Sequence, residues 1–258
     1  MIRAFIFDLD GTLVGTEPLR ALSHARAALE LRPNSFTEAD VVEACKEWVG
    51  ISTQETLLAL IDRFGLEEVA RKRMDEFDVK EPWEVFLALD LRHYEKMLAD
   101  LPTLRRAQVG PTVALLHEVR SAGYKTGLAS MTTHDLVFDI VQSLDLLKEF
   151  DVVATCEDVQ RGKPAPDIFL LVAHRLAVSP SECLVIEDSL PGVQAALAVG
   201  MRCIAVPTAF SRPLFAGQDV LNPQWIVDDP TKLEPAVERL LAEQGVVGLP
   251  QMRTGARI

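Results

Sequence analysis

A short apolar run at residues 2–7 (Ile-Arg-Ala-Phe-Ile-Phe) leads straight into two carboxylates, Asp8 and Asp10. Four later runs have the same character, at 125–129, 152–155, 183–186 and 202–206. Runs this short, bounded by polar residues, read as strands buried on both faces. Helical patterns lie between most of them. Residues 111–121 carry Val113, Leu115, Leu116 and Val119 on one side and stop before Gly123, a residue suited to a helix C-terminus. Residues 166–176 and 190–199 read the same way, the second ending at Gly200. Strands alternating with helices predict a parallel sheet covered on both faces.

Residues 18–95 break this rhythm. They hold long helical patterns, at 19–31, 38–48, 53–64 and 83–98, and no convincing strand. The expected fold class is therefore α/β, a Rossmann-like parallel-sheet core with an inserted all-helical cap. The core is assigned to 1–17 and 100–245 and the cap to 18–99. Residues 246–258, with glycines, a proline and two arginines but few large apolar residues, read as a loosely ordered tail.

Charge narrows the partners. The 38 Asp and Glu outnumber the 26 Lys and Arg, for a formal net charge of −12. Such a surface repels nucleic acid and anionic membranes, so neither is expected as a partner. A small anionic substrate remains compatible, because a few local cations or a metal can dominate one cleft. No stretch approaches the ~20 apolar residues of a membrane span. The four cysteines (Cys45, Cys156, Cys183 and Cys203) form no Cys-x-x-Cys pair and read as scattered buried thiols. A cytoplasmic protein, monomeric or weakly dimeric, is expected.

Ligands of open parallel sheets bind beyond the C-terminal ends of the strands, and four loops there carry chemistry. The first is Asp8-Leu9-Asp10-Gly11-Thr12. The second holds Ser130, within Gly127-Leu128-Ala129-Ser130-Met131-Thr132-Thr133. The third is Arg161-Gly162-Lys163-Pro164-Ala165-Pro166-Asp167, and the fourth is Glu187-Asp188-Ser189. Each has a plainer reading alone: an acidic turn, a helix N-cap, a surface lysine, a second acidic cap. Together they supply a carboxylate nucleophile, a hydroxyl and main-chain donors for phosphate oxygens, a cation, and oxygen ligands for a hard metal.

In these motifs the chain resembles the haloacid dehalogenase superfamily, and among its branches the one with a helical cap after the first motif. That branch includes beta-phosphoglucomutase, sugar-phosphate phosphatases and phosphonate hydrolases. The resemblance covers about residues 1–17 and 105–230. It implies that Asp8 attacks phosphorus and becomes an aspartyl phosphate, and that Asp10 protonates the leaving group and then activates water. It implies that Ser130 and Lys163 bind the phosphoryl group. Mg2+ would be held by Asp8, the Asp10 carbonyl and Asp188, with Glu187 as a ligand or just behind the ligands. The implied activity is a magnesium-dependent phosphatase of a small phosphorylated metabolite. The alternatives are a phosphomutase or, less favoured, a phosphonate hydrolase. Dehalogenases of the superfamily lack the second acid, and Asp10 argues against that chemistry.

Several positions depart from the mutase pattern. Gly15 precedes Thr16, and Arg20 stands near where those relatives carry a histidine. His24 reads as an unrelated surface residue, and no cation flanks Gly50. Met131 occupies a place after Ser130 where a small or polar residue is common. Arg20 and Met131 join Ser130 and Lys163 as candidate substrate contacts, with Glu17, Trp48 and Ser52 as further cap candidates. Arg20 suits a second anionic group. Lys46, the first cap lysine, reads as an exposed helix lysine and not as a Schiff-base former.

Overall fold

The computed structural model describes residues 1–48 and 53–245. Ser52, the side chain of Trp48 and the tail at 246–258 lie outside the described residues. The chain divides into two units: Met1–Gly15 with Ala107 onward, and Thr16–Arg106.

The first unit is built on five parallel strands, β1 (Ala4–Phe7), β2 (Lys125–Ala129), β3 (Val152–Ala154), β4 (Cys183–Glu187) and β5 (Arg202–Ala205), in the order β3-β2-β1-β4-β5. Every residue of β1 and β4 is buried, as the apolar runs require of strands covered on both faces. The register sets Phe7 opposite both Leu128 and Ile186. Asp8, Ala129 and Glu187 therefore fall one residue further on, in a single row at the strand ends. The ladder continues past β1, with the Asp8 amide donating to the Ile186 carbonyl at 3.0 Å. Strand order reverses direction between β1 and β4, the switch point where such sheets open a crevice.

Helices Gly110–Ser121 and Asp167–Arg175 pack on the β2 side, and Leu190–Ala198 packs on β4 and β5. Gly123 and Gly200 follow two of these helices with φ of +84° and +74°. The helix Leu233–Ala242 docks on Gly110–Ser121 and was not singled out in the sequence. Its buried face is Leu233, Ala236, Val237, Leu240 and Leu241, a clear helical spacing.

This unit is stitched where the chain departs and returns. The Gly15 amide donates to the Ala107 carbonyl at 2.7 Å, and the Val109 amide donates to the Leu13 carbonyl at 2.9 Å. Val14 and Gln108 form an antiparallel bridge between them.

The second unit is helical, and no strand occurs among its described residues. Its main helices are Thr16–Leu31, Glu38–Cys45, Thr53–Phe64 and Pro82–Leu98. The first packs against the second and the last. It starts three residues before the apolar pattern suggests, because Pro18 falls in the first turn, where a missing N–H costs nothing. Glu38–Cys45 opens on a reciprocal Thr37–Asp40 cap, and Pro82–Leu98 opens on Glu81 and Glu84 with Pro82 in the first turn. The helix Leu101–Arg106 also belongs here, so this unit reaches further than the expected limit at residue 99. Among the described residues no helix is long and apolar enough to cross a membrane.

Candidate active site

The ends of β1, β2 and β4, with the loop after β3, bring the sequence-selected groups of the core unit together. Lys163 is the hub. Its ammonium donates to Asp8 Oδ1 at 2.6 Å, to Glu187 Oε1 at 2.6 Å and to the Ala129 carbonyl at 3.1 Å. It also sits 5.0 Å from the Phe169 ring centroid. Prolines on both sides of Ala165 shape its loop, and the Lys163–Pro164 bond is cis. Burial alone would drive the Lys163 proton off, but the charges of Asp8 and Glu187 outweigh it and hold the ammonium above its ordinary value. The lysine is a fixed cation.

Asp8 is 6% exposed. Burial lifts its carboxyl well above the usual carboxylate range, Lys163 pulls it down, and the negative charges of Glu187 and Asp10 push it up again. Asp8, Glu187 and Asp188 are all buried, with Lys163 as the ammonium paired to the first two.

Glu187 uses both oxygens. One holds Lys163, and the other accepts from the Ser189 amide at 2.6 Å and the Ser189 hydroxyl at 2.9 Å. Ser189 in turn caps the following helix by accepting from the Gly192 amide at 3.2 Å. Gly192 is required here, because a Cβ would lie 1.8 Å from Glu187 Oε1. Asp188 points elsewhere. Its carboxylate packs on Gly11, where a Cβ would meet Oδ2 at 2.4 Å and where φ is +82°. Adjacent acids thus serve different neighbours: Glu187 the lysine, Asp188 the Asp8–Gly11 loop.

On the β2 side, Asp10 Oδ2 accepts from the Ser130 hydroxyl at 3.1 Å and the Thr132 hydroxyl at 2.7 Å. Met131, between them, is 38% exposed, and its methyl group lies against Gly162, beside Lys163. Sequence reasoning assigns Thr132 no role, because a threonine just ahead of a helix start reads as a cap.

A hard divalent cation fits this donor set. Magnesium keeps several waters and needs only one or two carboxylates. Asp8, Asp188 and the Asp10 carbonyl offer that much from two neighbouring loops, and the buried negative charge favours a dication. Among the described residues no three His, Cys, Asp or Glu side chains form a ready cage. Glu187 is committed to Lys163 and Ser189, and the Asp10 side chain to hydroxyls.

Arg20 lies in the helical unit. It donates to Asp90 Oδ2 at 3.3 Å and lies 3.8 Å over the Tyr94 ring, with its side chain 34% exposed. His24 is buried and not on the surface as expected, because Asp90 Oδ1 meets its Nδ1 at 2.8 Å. Ser23 donates to the same Asp90 oxygen. Lys46 is paired with Glu43 at 2.5 Å and exposed, in line with the plain helix-surface reading.

Carboxylates, a fixed ammonium and two hydroxyls gathered beyond the strand ends of an open parallel sheet are the layout of an enzyme site. The chain belongs to the haloacid dehalogenase-like hydrolases, whose family model matches residues 2–200. It is 33% identical over 206 residues to a phosphorylated carbohydrates phosphatase of Thermotoga maritima, covering 79% of this chain and 84% of that one. It is 32% identical over 246 residues to the phosphoglycolate phosphatase of Salmonella typhimurium, covering 92% of each. The fold is also that of a beta-phosphoglucomutase from Clostridium difficile, with a TM-score of 0.63, 22% identity, and 95% and 99% of the two chains covered.

Proposed function

We propose that the protein is a magnesium-dependent phosphatase of a small phosphorylated metabolite, working through an aspartyl phosphate on Asp8. The observation that carries this reading is the Lys163 ammonium, 2.6 Å from both Asp8 and Glu187. A carboxylate can approach a dianionic phosphoryl group only where fixed positive charge offsets the repulsion. Glu187 keeps that charge in place when Lys163 turns partly from Asp8 to the phosphoryl oxygens.

The two half-reactions follow from the groups in reach. An oxygen of Asp8 attacks phosphorus in line, and the ester P–O bond breaks as Asp10 gives its proton to the departing oxygen. Asp10, now ionised, takes a proton from water as that water attacks phosphorus. The bond to Asp8 breaks, and inorganic phosphate leaves. Ser130 and Lys163 hold the non-bridging oxygens throughout. Magnesium held by Asp8, the Asp10 carbonyl and Asp188 would neutralise charge on those oxygens.

The relatives named for phosphorylated carbohydrates and phosphoglycolate support a small metabolite as substrate. Arg20, its guanidinium stacked on Tyr94 and steadied by Asp90, is the cap residue best suited to a second anionic group such as a carboxylate. The test is phosphate release from a panel of phosphorylated sugars, acids and nucleotides, with and without magnesium, beside Asp8→Asn. Metal-dependent release that disappears in the variant is expected. Turnover by the variant at the wild-type rate would rule out Asp8 as nucleophile. Isomer formation without phosphate release would replace the phosphatase with a mutase.

A further inference from the structure

We infer that the Asp90 carboxylate and the Tyr94 ring are the positioning groups through which Arg20 selects a substrate with a second negative charge. The inference rests on the reading of Arg20 as a substrate contact given above.

Arg20, Ser23 and His24 stand at i, i+3 and i+4 on helix Thr16–Leu31, a spacing that turns all three to one side. There they meet Asp90 of helix Pro82–Leu98, which is fully buried. A carboxylate at that depth is tolerated where donors cover its oxygens. The Ser23 hydroxyl donates to Oδ1, and His24 Nδ1 lies 2.8 Å from the same oxygen. An ionised carboxylate can only accept, so His24 donates as well. With Oδ1 fixed from one side, Oδ2 is presented to Arg20, which donates to it at 3.3 Å.

Tyr94 lies one turn beyond Asp90 on the same helix, and the guanidinium carbon sits 3.8 Å from its ring centroid. The guanidinium is thus held at one edge by a carboxylate oxygen and across one face by an aromatic ring. An arginine restrained in this way has given up its rotamer freedom before any ligand arrives. The bond to Asp90 engages one of the five N–H donors of a guanidinium, and the Arg20 side chain stays 34% exposed. The planar fork keeps donors to offer, and a carboxylate is the planar partner that takes them up in pairs. The class selected is phosphorylated carboxylic acids, by the orientation of the fork more than by its charge.

The experiment measures binding of 2-phosphoglycolate and ethyl phosphate by calorimetry, with magnesium, in an Asp8→Asn background that leaves both ligands uncleaved. The two ligands differ by a carboxylate in place of a methyl group. Circular dichroism checks folding. Asp8→Asn alone is expected to bind phosphoglycolate at least ~10-fold more tightly than ethyl phosphate. Adding Arg20→Ala should remove the preference, and adding Asp90→Asn should cut it at least ~5-fold, with ethyl phosphate affinity within about 3-fold of the parent. Arg20→Lys keeps the charge without the planar fork and should lose the preference too. That variant decides the matter if Asp90→Asn does not fold. A preference that survives Asp90→Asn or Arg20→Lys, or equal weakening of both ligands by Asp90→Asn, would overturn the positioning role. A preference that survives Arg20→Ala, or is missing in the parent, would show that the reading of Arg20 beneath the inference is what fails.

Discussion

Glu187 and Lys163 form a buried ion pair 2.6 Å long, and the far oxygen of Glu187 is pinned by the amide and hydroxyl of Ser189. The pair therefore has a support behind it: the cap of helix Leu190–Ala198 fixes the carboxylate, the carboxylate fixes the ammonium, and the ammonium meets Asp8. Removing Glu187 takes away one of the two carboxylates that pair with the buried Lys163 ammonium among the described residues. Glu187→Ala is expected to cost about 3 kcal/mol, since breaking one side of a buried pair is expensive. It should also lower kcat by at least ~10-fold through the loss of fixed charge. Denaturant unfolding and steady-state kinetics on the same preparations check both.

Gly192→Ala tests the same support without touching a charge. The new Cβ would fall 1.8 Å from Glu187 Oε1, so either the helix start or the carboxylate must move. In an open helix position the change would favour the helix by about 1 kcal/mol. Here a lower melting temperature and a loss of activity are expected. A variant as stable and active as wild type would mean that Glu187 does not need its observed position.

In the helical unit, burial pushes the Asp90 carboxyl up. The hydrogen bond and charge of His24, the charge of Arg20 and the hydrogen bond from Ser23 outweigh it, so the group sits below its ordinary value. A folded-state value lower than the unfolded one means stability that is fully present above the unfolded pKa of about 3.9. That stability is lost as pH falls through the lower folded value. Asp90→Asn should be clearly less stable than wild type at pH 6, and the gap should close as pH drops below about 4. Unfolding midpoints measured across that range give the test.

The cysteines offer a simple check on packing. Cys45 and Cys183 are buried with thiols pushed up to about 12, first of all by burial, and burial likewise lifts the Cys203 thiol well above its ordinary value. Cys156 is half-buried. A thiol reagent should titrate about one group slowly in the native protein and all four in denaturant, because the thiolate is the reactive form. Rapid labelling of two or more native thiols would contradict the burial of Cys45, Cys183 or Cys203.

Much of the core was legible because its signals are local. Short apolar runs ending in Asp8, Ser130 and Glu187 mark strands by length and composition, and a parallel register then brings their ends into one row. Long-range partnerships were not legible. His24 looked like a surface residue because its partner, Asp90, lies 66 positions away. Asp188 is expected from the sequence as a metal ligand and Glu187 as a ligand or just behind the ligands, and the packing of Gly192 and Gly11 adds that the two acids face different neighbours. Thr132 was overlooked because a threonine near a helix start has an ordinary explanation as a cap.

The stitching at Gly15 and Ala107 bears on how such proteins diversify. The exit and the return of the chain are joined by main-chain bonds within the core unit itself, Gly15 to Ala107 and Val109 to Leu13. The helical insertion is spliced in at a single doorway whose two posts already touch. An exchange or redesign of the helices between them leaves the sheet's main-chain wiring intact, so the two units can change in sequence separately.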